Sequence, residues 1–168
     1  MDKTNSSIVW KAYKVTGSHT GTIVLKDGEL QFKKGVLQSG KFEIDMTSIN
    51  VTDLQGEYKG KLEGHLKSPD FFNVAENPTA SFTTTSVKAG EGANSYNVVG
   101  NLTIKGITNE ISFVANVDNS QTPIVSTASI KVDRSKFDVR YGSNSFFDNL
   151  GDKAIYDEFD LEVKLITE

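Results

Sequence analysis

Over most of this chain, apolar and polar residues alternate with a period of two, the pattern of β-strands that bury one face and wet the other. In FEIDM, Phe42, Ile44 and Met46 alternate with Glu43 and Asp45. SFTTTSV, from Ser81, carries Phe82 in a run rich in β formers. In NVVGNLTIKG, Val98, Leu102 and Ile104 share one face, with Asn97, Asn101 and Lys105 on the other. EISFVANV sets Ile111, Phe113, Ala115 and Val117 in one phase, and STASIKVDR sets Ala128, Ile130 and Val132 against Ser129 and Lys131. The last such segment, FDLEVKL, opposes Phe159, Leu161, Val163 and Leu165 to Asp160, Glu162 and Lys164.

Short turn signals separate these segments: Lys26-Asp27-Gly28, Lys33-Lys34-Gly35, Ala89-Gly90-Glu91-Gly92 and Lys105-Gly106. Each suits a hairpin, whereas parallel pairing would need helical crossovers. DLQGEYKGKLEGHL is the helical candidate of any length, with Leu54, Tyr58, Leu62 and Leu66 at a stride of four. Gly56, Gly60 and Gly64 weaken it, each by up to about 1 kcal/mol relative to Ala, so the helix must lean on a neighbour. About eight one-sided strands joined by hairpins predict an all-β fold, and eight is a usual number for an up-and-down barrel that holds one small ligand. Periodicity alone leaves a β-sandwich open as the alternative.

Two phenylalanine pairs fall outside this pattern. Phe71-Phe72 follows Ser-Pro-Asp and Phe146-Phe147 lies in SNSFFDNLG, so four of the ten phenylalanines sit in turn-forming surroundings. Paired aromatics in loops need a surface to cover. Both pairs are therefore expected to plug one end of the barrel, docked there with the helix; the alternative is that they only complete the core.

The 168 residues suit one domain, residues 1–168, with room for a core or cavity. A net charge of −4 and only two arginines, Arg134 and Arg140, argue against nucleic acid as a partner. Cysteine is absent, which removes disulfides and thiolate metal sites. No run approaches the length of a membrane helix, and Met1 to Asn5 lack the apolar stretch of a signal peptide.

Candidate chemistry is sparse. His19 and His65 show no metal-ligand spacing, so a hydrogen-bonding role is expected of them and no metal or cofactor is predicted. GSHTG places serine one position early for a nucleophile elbow, and AGEGAN reads as a hairpin turn, not a dinucleotide loop. Asp133 and the pair Asp157-Glu158 are carboxylates without a fixed acid and base separation. The acceptor triplets at Asn5, Asn50 and Asn101 carry no weight. Arg134 has two readings. Alternation from Ala128 carries it inward as a head-group anchor, while a bulge at a barrel rim would leave it in a local ion pair, the favoured reading.

Taken in order, VWKAYKVTGSHTGTI, FEIDMTSI, LEGHLKSPDFFNVAENPTASF, NLTIKGIT and KVDRSKFDV resemble the YceI-like family across nearly the whole chain. YGSNSFFDNLGDKAIYDEF is a longer connection than the simplest members need. The resemblance implies an extended antiparallel eight-stranded lipocalin-like barrel with a short helix in one long connection. It also implies non-catalytic binding, storage or transport of a polyisoprenoid, fatty acid or fatty amide, and a periplasmic or otherwise exported setting. In that case the targeting segment lies outside this chain, and a lipoprotein signal and a homodimer are further expectations. The inward residues named above are the candidate ligand contacts: Phe42, Ile44, Met46, Phe82, Leu102, Ile104, Ile111, Phe113, Ile130, Phe159 and Leu161. Trp10 in the opening strand joins them, with Phe71, Phe72, Arg134, Phe146 and Phe147 at the mouth. Two other function classes compete: an enzyme on a lipid-like substrate with His19 or His65 as base, and a fully packed barrel serving as an interaction module. A continuous apolar cavity would favour binding, and a filled one the interaction module.

Overall fold

A computed structural model describes residues 1–167. Eight strands run in chain order, β1 Ser7–Lys14, β2 Gly17–Lys33, β3 Val36–Val51, β4 Thr79–Ala89, β5 Ser95–Ile104, β6 Ile107–Asp118, β7 Val125–Asp133 and β8 Ile155–Ile166, with one α-helix, α1 Gly56–Lys67, between β3 and β4. Each strand pairs antiparallel with the next, and β8 closes on β1 through Trp10 opposite Leu161 and Ile8 opposite Val163. The barrel expected from the period-two pattern is thus closed, and the sandwich is excluded.

The hairpins follow turn chemistry. Lys34-Gly35 and Lys105-Gly106 each put two consecutive residues at positive φ, the conformation of tight turns that match strand twist. Lys26-Asp27-Gly28 is different: it lies inside β2 and makes no turn. The register slips there, between Leu25 and Asp27, so the same residue types mark a β-bulge. Further slips lie at Thr22/Val24 and Gln31/Phe32, where the extra residues belong to β3, and this irregular pairing conceals a strand of 17 residues as shorter pieces.

Connections alternate between the two ends of the barrel. The β1–β2, β3–β4, β5–β6 and β7–β8 links share one end, so α1, the Phe71-Phe72 loop and the long segment after β7 gather there. The helix buries no residue of its own and has no side-chain N-cap. It is gripped by β3 instead: Val51 N–H donates to Glu63 Oε1 at 2.9 Å, and Lys59 Nζ donates to Asn50 Oδ1 at 2.8 Å. Leu54, Leu62 and Leu66 pack toward the core, but Tyr58 is 73% exposed. Its side chain lies near Lys61, on the solvent side. Leu54 precedes the helix; within it each stride of four turns about 40° past a full circle, so Tyr58, two strides before Leu66, has drifted off the docked stripe.

Candidate functional site

The barrel encloses a cavity of about 440 Å³, lined from all eight strands. Direct cross-strand pairing stacks its walls in layers: Trp10 beside Leu161, Phe42 beside Phe82, Phe82 beside Leu102, and Ile130 beside Leu161. Phe82 and Phe113 pack at 5.4 Å between ring centroids. Phe42, Ile44, Ile111, Phe113, Ile130, Phe159 and Leu161 point inward yet keep intermediate accessibility. Side chains that filled the lumen would have buried them.

Aromatic rings reach this wall through gaps in neighbouring strands. A Cβ at Gly21 would fall 2.3 Å from Trp10 Cζ2, and one at Gly100 would fall 2.4 Å from Phe82 Cζ. Trp10 Nε1 donates to Thr22 O at 3.2 Å, which fixes the indole against β2. Large side chains thus cover the wall without crossing the cavity.

At the helix end, Phe71 and Phe72 line the lumen together with Leu62, His65 and Leu66. Phe71 is buried and packs edge-on to Phe72 (5.3 Å) and His65 (5.5 Å), and Phe72 meets Phe159 edge-on at 6.5 Å. Tyr141, from the β7–β8 segment, stands 4.3 Å from His65. The Arg134 guanidinium lies 5.1 Å from the Phe71 ring centroid.

Arg134 opens a short 3₁₀ turn directly after β7 and is 2% exposed. Its guanidinium donates to the carbonyls of Val139 (2.7 Å), Ile155 (2.9 Å) and Tyr156 (3.2 Å), tying the long connection to the start of β8. Asp157 stands 3.9 Å away. Burial pulls the guanidinium below its ordinary range, and the charges of Asp157 and Asp133 oppose that shift. The side chain therefore knits the mouth together while also lining the lumen.

Next to this knot, at the start of β8, β1 and β8 slip register between Ala12 and Lys14. Tyr13, Lys14, His19 and Tyr156 reach the cavity beside this irregularity and are at least partly exposed, so the lumen approaches solvent here. His19 Nδ1 lies 3.0 Å from Asp53 Oδ2. Among the described residues no three His, Cys, Asp or Glu side chains gather as metal ligands.

The structure brings Trp10, Phe42, Ile44, Met46, Phe71, Phe72, Phe82, Leu102, Ile104, Ile111, Phe113, Ile130, Arg134, Phe159 and Leu161 onto one cavity wall. Phe146 and Phe147 are a correction. They are 38% and 49% exposed, lie outside the lining, and ride on a turn in which both N–H groups donate to Ser143 O. Phe146 packs against the exposed Arg140 guanidinium instead of a barrel rim. Sequence reasoning missed Leu25 and Leu30 on β2 and Leu37 on β3 because the register slips between these two strands hide their phase. Tyr141 was unmarked, and His65 was read only as a hydrogen-bonding group or a base, since no local pattern brings the two rings together.

Known proteins share this fold. Burkholderia cenocepacia BcnA superposes with a TM-score of 0.80 over 99% of both chains at 21% identity. A polyisoprenoid binding domain from Saccharophagus degradans gives 0.69 at 15% identity, over 98% of this chain and 94% of that one. At such identities the likeness is one of fold. In sequence, a UPF0312 protein of Yersinia enterocolitica is 48% identical over 86 residues, 51% of this chain and 42% of the relative. One of Azotobacter vinelandii is 30% identical over 95 residues, 56% and 47% respectively. The chain matches about half the length of these relatives. The model of the YceI-like domain matches residues 1–166, which spans every strand of the barrel and both segments that form its mouth, and the chain accordingly belongs to the YceI-like family.

Proposed function

We propose that this protein is a non-catalytic carrier that shields a long apolar lipid, a polyisoprenoid or an acyl chain, inside its barrel. The observation that carries this reading is the 440 Å³ cavity with its hydrocarbon walls. At about 24 cal/mol per Å³ of unfilled space, that volume forgoes on the order of 10 kcal/mol of packing, as much as the net stability of many domains. A barrel serving only as a rigid interaction module has no use for such a hollow. A bound chain of roughly fifteen carbons gains on the order of 12 kcal/mol gross, against an association cost of about 4–15 kcal/mol. Useful affinity thus requires a long ligand and preformed walls, and the second is met. The polyisoprenoid binding domain from Saccharophagus degradans, similar in fold, supports the same ligand class. An exported setting belongs to this reading and rests on the family resemblance alone.

Phe71 and Phe72 act in it as the plug of the helix end, where they cover the lumen. The competing catalytic reading draws on His19, paired with Asp53 beside the mouth. The one tryptophan of the chain, Trp10, sits in the wall, so its emission serves as an occupancy probe. Titrating the protein with prenyl and acyl alcohols should change Trp10 fluorescence saturably, and an unchanged spectrum with every chain would overturn the proposal. The double variant His19→Gln, His65→Gln should bind as before; lipid turnover by the parent protein that vanishes in this variant would establish the enzyme instead.

A further inference from the structure

We infer that Gly28 and Gly40 set the width of the lumen at Phe42 and thereby decide how readily a methyl-branched chain is accepted. This rests on the lipid-binding reading and assigns residues to its selectivity. Phe42 on β3 stands directly opposite Gly28 on β2, and Gly40 lies two positions earlier on β3, on the same face. A Cβ at position 28 would fall 2.6 Å from Phe42 Cδ1; one at position 40 would fall 2.9 Å from Cε2 and 3.2 Å from Cζ. Two opposite edges of one ring therefore rest where two side chains would otherwise stand.

Apart from the bulge that precedes Gly28, the backbone at these positions does not call for glycine. Both lie inside strands, where glycine is intrinsically the weaker choice, and neither has a positive φ. Gly21 and Gly100 differ, because there the carbonyls of Asn50 and Thr83 already exclude a side chain at 2.0 and 2.6 Å. At Gly28 and Gly40 the nearest atoms all belong to the side chains of Phe42, Leu25 and Leu30. A methyl group at either position displaces the Phe42 ring, and the space open to it is the lumen that it lines. An extended straight chain is slimmer than one bearing methyl branches, so narrowing the bore penalises the branched chain first.

The test compares hexahydrofarnesol with dodecanol, saturated alcohols of equal main-chain length with and without branches, by Trp10 fluorescence. The parent protein should bind both. Gly28→Ala and Gly40→Ala should weaken the branched alcohol by about tenfold or more, the scale of a methylene misfit in an apolar pocket, with the straight one little changed. Adding Phe42→Leu to Gly28→Ala should restore the branched ligand. Equal effects on both alcohols, or no restoration, would overturn the inference while leaving lipid binding intact; a parent protein that takes up neither alcohol overturns both. Should the alanine variants fail to fold, Phe42→Leu alone decides: the wider bore should shift the affinity ratio several-fold toward the branched alcohol, and an unchanged ratio refutes the assignment.

Discussion

Phe71 and Phe72 are neighbours in sequence with different physical positions. Phe71 is 6% exposed within the cluster of His65, Tyr141 and Arg134, whereas Phe72 is half-buried against Phe159. Phe71→Ser should therefore act mainly on folding, with a loss of about 3–5 kcal/mol measured by denaturant unfolding. Phe72→Ser should lower the melting temperature only modestly and speed exchange of a bound fluorescent lipid. Slow exchange in a folded Phe72→Ser protein would show that this ring is core and no gate. The inward residues of β5 to β8 were legible from alternation, because a regular strand turns period two directly into a face. Phe146-Phe147 was not, because turn-forming neighbours reveal a loop but not which surface the loop lies against. Gly28 was misread since a bulge and a turn use the same residues.

Helix α1 shows how an element of low intrinsic stability is held by two side chains. The Val51 N–H bond, with help from the charges of Lys59 and Lys67, holds the Glu63 carboxyl below its ordinary range. A group with a depressed folded pKa contributes fully above its unfolded value, near 4.3 for Glu, and its contribution fades as pH falls through the folded value. Acidification below the ordinary carboxylate range should thus loosen α1 and speed lipid release, measured by stopped-flow fluorescence. Glu63→Gln should release faster at neutral pH and lose most of that acid dependence; identical pH profiles for the two proteins would contradict the anchoring role. The existence of the helix and its need for support could be read from its glycines. Its grip on β3 could not, since the pattern does not say that the helix folds back so that Glu63 meets Val51 at the end of the strand before it.

For the whole molecule, about eight one-sided segments and hairpin turns indicated an antiparallel all-β fold, barrel or sandwich, and it was the resemblance that pointed to the closed barrel. Whether that barrel is filled lay beyond the pattern, because the same alternation describes a packed core and a lined cavity. The difference is made by where aromatic rings lie relative to glycines on neighbouring strands, which requires the register. A carrier gains stability from its cargo: at a hundred times its dissociation constant a ligand adds about 2.7 kcal/mol, which for a chain of this size raises the melting temperature by about 5–10 °C. Differential scanning calorimetry with prenyl alcohols should show this rise, and short polar alcohols should not. The most direct test is native mass spectrometry of the freshly purified protein, followed by organic extraction. The account predicts a population heavier than the bare chain by one hydrophobic molecule that solvent removes. A uniform bare-chain mass, unchanged after prenyl and acyl chains are offered, would contradict it.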